Sequence, residues 1–171
     1  MEDEITWNEF TFRNENLDDT RHRGVEMYID FDLEEIFSLQ VNYTYQESTF
    51  EAGPNKGNDV PLVPNNLLAA SLDLNLPYEI HLVPSLLYVD KSYLSQDFDN
   101  NTEKLDDYTV VDILLRYKKN IGRATLTAFL GVNNLTDEEY STQGRDGLGW
   151  GPNVFYPSPG RKFHGGISGT F

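Results

Sequence analysis

Between Phe37 and Gln46 every second residue is apolar: Phe37, Leu39, Val41, Tyr43 and Tyr45 alternate with Ser38, Gln40, Asn42, Thr44 and Gln46. Successive side chains of an extended chain point to opposite faces, so this spacing specifies a strand with one greasy and one wet face. The same period recurs along the chain. Val25, Met27, Ile29, Phe31 and Leu33 alternate with Glu26, Tyr28, Asp30, Asp32 and Glu34, and Leu68, Ala70, Leu72, Leu74 and Leu76 with Ala69, Ser71, Asp73 and Asn75. Val111, Ile113, Leu115 and Tyr117 follow, then Ala124, Leu126, Ala128, Leu130 and Val132, and finally Phe163, Gly165, Ile167, Gly169 and Phe171. Ile80 to Leu94 alternates less cleanly, because Val83, Leu87 and Val89 oppose Ile80, Leu82, Leu86 and Tyr88. Pro84 removes a donor within it, which predicts a bulge or distortion. The aromatic-rich Ile5 to Phe12 supplies an eighth strand of imperfect alternation.

The gaps between these strands alternate in length. Glu34 to Ile36, Pro77 to Glu79 and Lys118 to Gly122 are short, while Arg13 to Arg23, Phe50 to Asn66, Ser95 to Asp107 and Asn134 to Lys162 are long. Short turns at one end and long loops at the other describe an antiparallel up-and-down arrangement of about eight strands, the pattern of a transmembrane β-barrel with short periplasmic turns and long extracellular loops.

Composition permits this. No apolar run approaches the roughly 20 residues of a spanning helix, but a barrel strand needs only about 10, half of them facing water, so a mean hydropathy of -0.51 does not oppose it. A formal charge of -15 argues against nucleic acid, whose phosphates require clustered Lys and Arg. Without cysteine there is no disulfide or thiolate chemistry. The acidic start, Met1 to Phe10, has neither the basic nor the apolar region of a secretory signal.

Three motifs carry a family resemblance. The chain closes on Tyr156-Pro157-Ser158-Pro159-Gly160-Arg161 and a strand that stops on Phe171; Asn58-Asp59-Val60-Pro61-Leu62-Val63-Pro64 precedes a strand; and Gly131-Val132-Asn133-Asn134-Leu135-Thr136-Asp137 with Glu139-Tyr140 follows one. In combination they resemble the C-terminal portion of the β-barrel of TonB-dependent receptors. Val60 stands where isoleucine is usual and Thr136 where phenylalanine is common, leaving one fewer aromatic at a strand end.

The resemblance implies a cell outer membrane of a Gram-negative bacterium and a barrel of about 22 strands, of which residues 1–171 would form the C-terminal part, with the plug domain absent. It implies active uptake of a scarce solute such as a ferric siderophore, haem or cobalamin, no enzymatic activity and no cofactor. Implied partners are outer-membrane lipid, the remaining barrel and plug, TonB acting through that plug, a small-molecule solute such as a metal chelate, and the barrel-assembly machinery. The last would read the C-terminal strand at Phe163, Ile167 and Phe171. Asp3 to Thr6 has the look of a stray TonB box, but a genuine one lies ahead of a plug. With only about eight strands the chain alone is not expected to transport, and the ligand contacts are not identified.

Two other folds accommodate the same alternation. Eight strands can close into an autonomous small barrel with a structural or adhesion role, for which Ile5 to Phe12 would pair with Phe163 to Phe171. A soluble lipocalin-like barrel would turn the face of Phe37, Leu39, Val41, Tyr43 and Tyr45 inward. Aromatics near strand ends, namely Tyr43, Tyr45, Tyr88, Tyr93, Tyr108, Tyr117, Phe163 and Phe171, fit interfacial girdles, though aromatics favour strands in any β protein.

No catalytic constellation is evident. His22, His81 and His164 lack metal-site spacing. Asp97, Asp99, Asn100 and Asn101 offer oxygens without the order of a calcium loop, and a solvated loop is the simpler reading. Three matches to the glycosylation sequon, at Asn42, Asn100 and Asn134, are discounted in a bacterial outer-membrane protein. Arg21, His22 and Arg23 form the one compact basic cluster, as suited to solvent as to an anionic headgroup.

Overall fold

A computed structural model describes residues 5–8, 12–33 and 35–171. Glu34 of the expected first turn, Asp3 and Glu4 of the TonB-box-like stretch, and Phe10 and Thr11 lie outside the described residues. All regular structure there is β: β1 (Ile5–Asn8), β2 (Arg13–Asn16), β3 (Thr20–Leu33), β4 (Phe37–Phe50), β5 (Asn66–Leu76), β6 (Ile80–Val89), β7 (Ser92–Tyr93), β8 (Lys104–Leu105), β9 (Tyr108–Ile121), β10 (Ala124–Asn133), β11 (Ser141–Arg145), β12 (Val154–Pro157) and β13 (Lys162–Thr170).

Seven of them form one antiparallel meander in the order β13-β10-β9-β6-β5-β4-β3. Its turns are short for a local reason. Ile121 pairs with Ala124, leaving a two-residue loop whose first position is Gly122 with φ of 63°, a conformation that glycine reaches without steric cost and that matches the twist of a hairpin. Between β5 and β6 the register is the same on both sides of Pro84, with Ser71 opposite Ser85 and Leu74 opposite Leu82, while the two positions between them carry no pairing. The proline thus interrupts the ladder without shifting it, since it removes a donor but inserts no residue.

Several boundaries differ from expectation: β6 ends at Val89 rather than Leu94, β9 runs on to Ile121 through most of the expected turn Lys118 to Gly122, and the N-terminal segments are arranged differently. The segment starting at Ile5 does not join the meander as an eighth strand: Ile5–Asn8 pairs with Arg13–Asn16 in a separate hairpin. Arg13 to Arg23 accordingly holds β2 and the first turn of β3 rather than loop alone. An imperfect alternation cannot fix which of two neighbours a strand joins.

Register places every apolar set on one side of the sheet. Ile29 lies opposite Val41, Val41 opposite Ala70, Ala70 opposite Leu86, Leu86 opposite Val111, Leu130 opposite Leu115 and Ala128 opposite Ile167. The other side carries Glu26, Asp30, Asp32, Ser38, Gln40, Asp73, His81, Arg116, Thr127 and His164. Among the described residues nothing covers the apolar side of β3: Val25, Met27, Ile29, Phe31 and Leu33 are all exposed. The buried hydrophobic residues among those described, Phe50, Leu94, Leu105 and Tyr108, sit instead at the end with the long loops. The lipocalin-like arrangement, in which the alternating residues would fill a dry centre, is therefore not the one adopted. From Phe37 to Tyr45 the greasy face runs eight steps, about 26 Å along the strand at roughly 3.3 Å per residue, or about 20 Å of height at the tilt of barrel strands, most of their roughly 25 Å apolar band.

The meander is open. Among the described residues β13 pairs only with β10 and β3 only with β4, so Phe163–Phe171 does not meet the N-terminal hairpin, as an autonomous closed barrel requires.

Candidate functional site: the rims and the knitted loop end

The apolar band is edged by polar groups on the same face. At the long-loop side the Tyr43 hydroxyl donates to Asn66 Oδ1 (2.8 Å), and Asn66 Nδ2 donates to Asp90 Oδ2 (2.7 Å). One step further out, Arg23 Nε donates to Glu47 (2.8 Å) and Arg21 pairs with Glu51. The two arginines of the basic cluster thus face carboxylates, Glu47 of β4 and Glu51 just beyond it. At the opposite rim the Phe31 and Phe37 rings lie 5.8 Å apart, and Tyr78 stands exposed in its turn. Tyr43, Tyr45, Tyr88 and Tyr117 hold girdle positions on the apolar face. Tyr93 and Tyr108 do not: Lys104 Nζ sits 4.0 Å above the Tyr93 ring in a loop, and Tyr108 is buried with its ring 4.5 Å from that of Tyr140.

The wet face holds a linked set of ions. Asp73 accepts from His81 Nδ1 (3.0 Å) and from Arg116, while on β3 Asp30 accepts from Tyr28 (3.0 Å) and Asp32 from Ser38 of β4. His22 contacts Ser48 Oγ (2.8 Å), and the His164 ring lies across Gly131, where a Cβ would collide with it. The three histidines remain apart, and among the described residues no group of His, Asp and Glu is arranged to hold a metal.

At the long-loop end the loops 51–65, 90–107 and 134–161 are knitted together, chiefly by motif residues. Asn58 Nδ2 donates to the Phe98 carbonyl (2.9 Å), the Asp59 amide donates to Asn100 Oδ1 (2.6 Å), and Asn100 Nδ2 returns bonds to the carbonyls of Asp59 (3.0 Å) and Asp97 (3.1 Å). Asp97, only 2% exposed, accepts from the amides of Asn101 and Thr102 and from the Thr102 hydroxyl. Its oxygens cap a turn, so the apparent cation loop is structural.

The other two motifs clasp each other. Asn134, left-handed with φ of 52° as asparagine tolerates, donates to the Glu138 carbonyl (2.9 Å) and accepts the Glu138 amide (2.8 Å). Its own amide donates to Asp112 (2.7 Å). Asp137 then accepts the Arg161 amide (2.8 Å), Arg161 Nη1 donates to the Leu135 carbonyl (3.2 Å), and the Ser158 amide donates to the Tyr140 carbonyl (2.8 Å). Beside this clasp a cleft of about 440 Å³ opens among Glu103, Asp106, Asp107, Glu139, Tyr140 and Phe155.

Phe163 and Ile167 project from the apolar face of edge strand β13, opposite Val132 and Ala128. With Phe171 beyond the strand end, all three are exposed.

The family model described as TonB dependent receptor-like, beta-barrel, matches residues 1–135, so the closing motif at Tyr156 to Phe171 adds to that match from outside it. The ferrichrome outer membrane transporter/phage receptor of Escherichia coli (strain K12) is 31% identical over 124 residues, covering 70% of this chain and 16% of that protein. The ferrioxamine B receptor of Salmonella typhimurium (strain SL1344) is 29% identical over 132 residues, covering 73% and 18%. This chain therefore spans less than a fifth of the length of these relatives. Among solved structures, the ferric-catecholate import receptor of Escherichia coli K12 in its closed form superposes with a TM-score of 0.74 at 19% identity, over 98% of this chain and 23% of that one. The ferric yersiniabactin uptake receptor of Yersinia pestis gives 0.69 at 24% identity, over 88% and 23%. These likenesses show the fold. With the apolar band, the alternating turns and loops, and a family match over most of the chain, the conclusion is plain: this chain belongs to the TonB-dependent receptor β-barrel family of the Gram-negative outer membrane.

Proposed function

We propose that residues 1–171 form the C-terminal part of a receptor barrel that takes up a metal chelate of the siderophore type, supplying seven wall strands and three outer loops. The observation that carries this reading is the two-faced open sheet with its long loops joined at one end: greasy side to lipid, wet side to a lumen, loops toward the solute. The unpaired edges of β3 and β13 need further strands, since an exposed edge is a template for aggregation. The relatives' names, receptors for ferrichrome and for ferrioxamine B, motivate the solute class. Transport then requires the rest of the barrel, a plug and TonB, so the seven strands do not transport alone. Phe163, Ile167 and Phe171 are read as the assembly signal, because they are greasy, exposed and on the edge strand.

The test is uptake of iron-loaded ferrichrome and ferrioxamine B by cells stripped of their own siderophore receptors. Cells producing the receptor that contains this chain should accumulate iron from at least one of the two in a TonB-dependent way, and cells producing residues 1–171 alone should not. Uptake by the short chain, or uptake that persists without TonB, would overturn the proposal.

A further inference from the structure

The middle loop, 90–107, is held to its two neighbours by bonds of different kinds. Toward 134–161 the attachment around Ser95 is backbone, as the Ser95 amide donates to the Gly144 carbonyl (2.9 Å), the Asp146 amide donates to the Ser95 carbonyl (3.0 Å), and Ser95 and Arg145 form a parallel bridge, with one side-chain bond further along from Asn153 Nδ2 to Glu103 (3.1 Å). Toward 51–65 the tip of the loop is held by side chains, through Asn100 and Asn58, while its base is fixed by the Leu62 amide on the Tyr93 carbonyl (2.9 Å). The corner that receives Asn100 is itself immobilised on β4, because the Phe50 amide donates to the Asn58 carbonyl (3.0 Å) and the Val60 amide to the Ser48 carbonyl (2.9 Å). Asn100 therefore joins the tip to this corner, beside the Phe98 ring that packs edge-on against Phe50 (5.9 Å).

That tip forms one wall of a cleft of about 530 Å³, completed by Pro54 and Asn55 from the first loop and by Asp146, Leu148 and Gly149 from the third. Gln96, Phe98 and Asp99 line it from the tip. A solute bound there meets a surface already assembled, and a preformed site avoids the ordering cost of binding. Resting on the uptake reading above, we infer that Asn100 is a positioning residue of the solute site: it touches no solute but keeps the tip 96–102 in the binding conformation.

The left-handed φ of Asn100, 54°, supplies a clean probe. Glycine adopts that conformation freely, so Asn100→Gly deletes the three side-chain bonds without straining the backbone. In outer-membrane vesicles carrying the receptor, amide hydrogen exchange should rise at least tenfold at Asp59 and across 96–102. It should stay unchanged at Ser95 and Asp146. Asn58→Ala, which removes a single bond, should give a smaller rise in the same residues. With iron-loaded ferrichrome and ferrioxamine B as probes, whichever the unaltered receptor binds should bind the variant at least threefold more weakly while the maximal uptake rate is kept. Unchanged exchange at 96–102, a rise spreading equally into 141–146, or a fall in maximal rate at constant affinity would each refute the role of Asn100. Failure of both probes to bind the unaltered receptor would count against the solute class instead, with exchange still deciding whether Asn100 holds the tip.

Discussion

Val41 and Asn42 are neighbours in sequence and opposites in environment, which makes them the sharpest test of the two-faced sheet. Val41 stands midway along the greasy run from Phe37 to Tyr45, flanked by Ile29 and Ala70; Asn42 is flanked by Tyr28 and Ala69 on the wet side. Arginine placed at mid-membrane on the lipid face of a barrel costs about 2–4 kcal/mol, falling to about 0–1 near the interface, whereas a lumen position tolerates charge. Val41→Arg should therefore destabilise by about 3 kcal/mol, roughly a 150-fold loss in the folding equilibrium. Tyr45→Arg, at the rim beside Glu47, should cost under about 1 kcal/mol, and Asn42→Arg should be near neutral. Denaturant titration of the receptor refolded into lipid vesicles, followed by heat-modifiable mobility on gels, reads all three. Equal costs for Val41→Arg and Asn42→Arg, or a larger cost at Asn42, would mean that the apolar side rests on protein and not on hydrocarbon.

Further substitutions probe the joints. Asn134→Gly keeps the left-handed turn but strips both bonds to Glu138, so thermal unfolding should show a loss of about 1–2 kcal/mol; Asn134→Ala should lose more, because alanine must also adopt the positive φ. Gly131→Val drives a branched side chain into the exposed His164 ring, which must swing off the sheet, and the disturbance should appear as faster exchange along the β10–β13 ladder, with β3–β4 untouched. Phe171→Ala should leave the stability of receptor refolded in vitro within about 0.5 kcal/mol yet lower its amount in the outer membrane of growing cells. Equal steady-state levels would remove Phe171 from the proposed assembly signal.

The spanning strands were legible because their side chains answer to one requirement, apolar toward lipid and unrestricted toward water, and that requirement is written at period two. The N-terminal hairpin was not legible for the converse reason. Ile5, Thr6 and Trp7 pair with Asn16, Glu15 and Asn14 above the band, where neither face meets hydrocarbon and nothing enforces alternation. Of the two-stranded pieces inside the loops, β8, β11 and β12 were missed likewise, and β7 was read as the end of the strand from Ile80 to Leu94. Segments as short as Ser92–Tyr93 owe their pairing to contacts across the loop cluster rather than to any pattern of their own. The girdle positions assigned to Tyr93 and Tyr108 erred through proximity to strand ends alone. Tyr108 has the parity of the wet face, opposite Val89, and counting parity from Val111 would have separated it from Tyr88.

Motifs that mark the family in this chain turn out to be fastenings. Asn58 and Asp59 engage Phe98 and Asn100, and Asp137 engages Arg161, so each motif supplies one half of a joint whose other half lies far along the sequence. Long loops carry a closure cost that grows slowly with length, but they also carry many backbone groups that need partners when packed together. A few amide and carboxylate side chains at fixed places meet that need at each crossing. On the proposed reading, a position such as Asp99, which lines the cleft between the loops outside these joints, is where the solute would be selected, so the residues that reveal the fold in the sequence are not the ones that would select it.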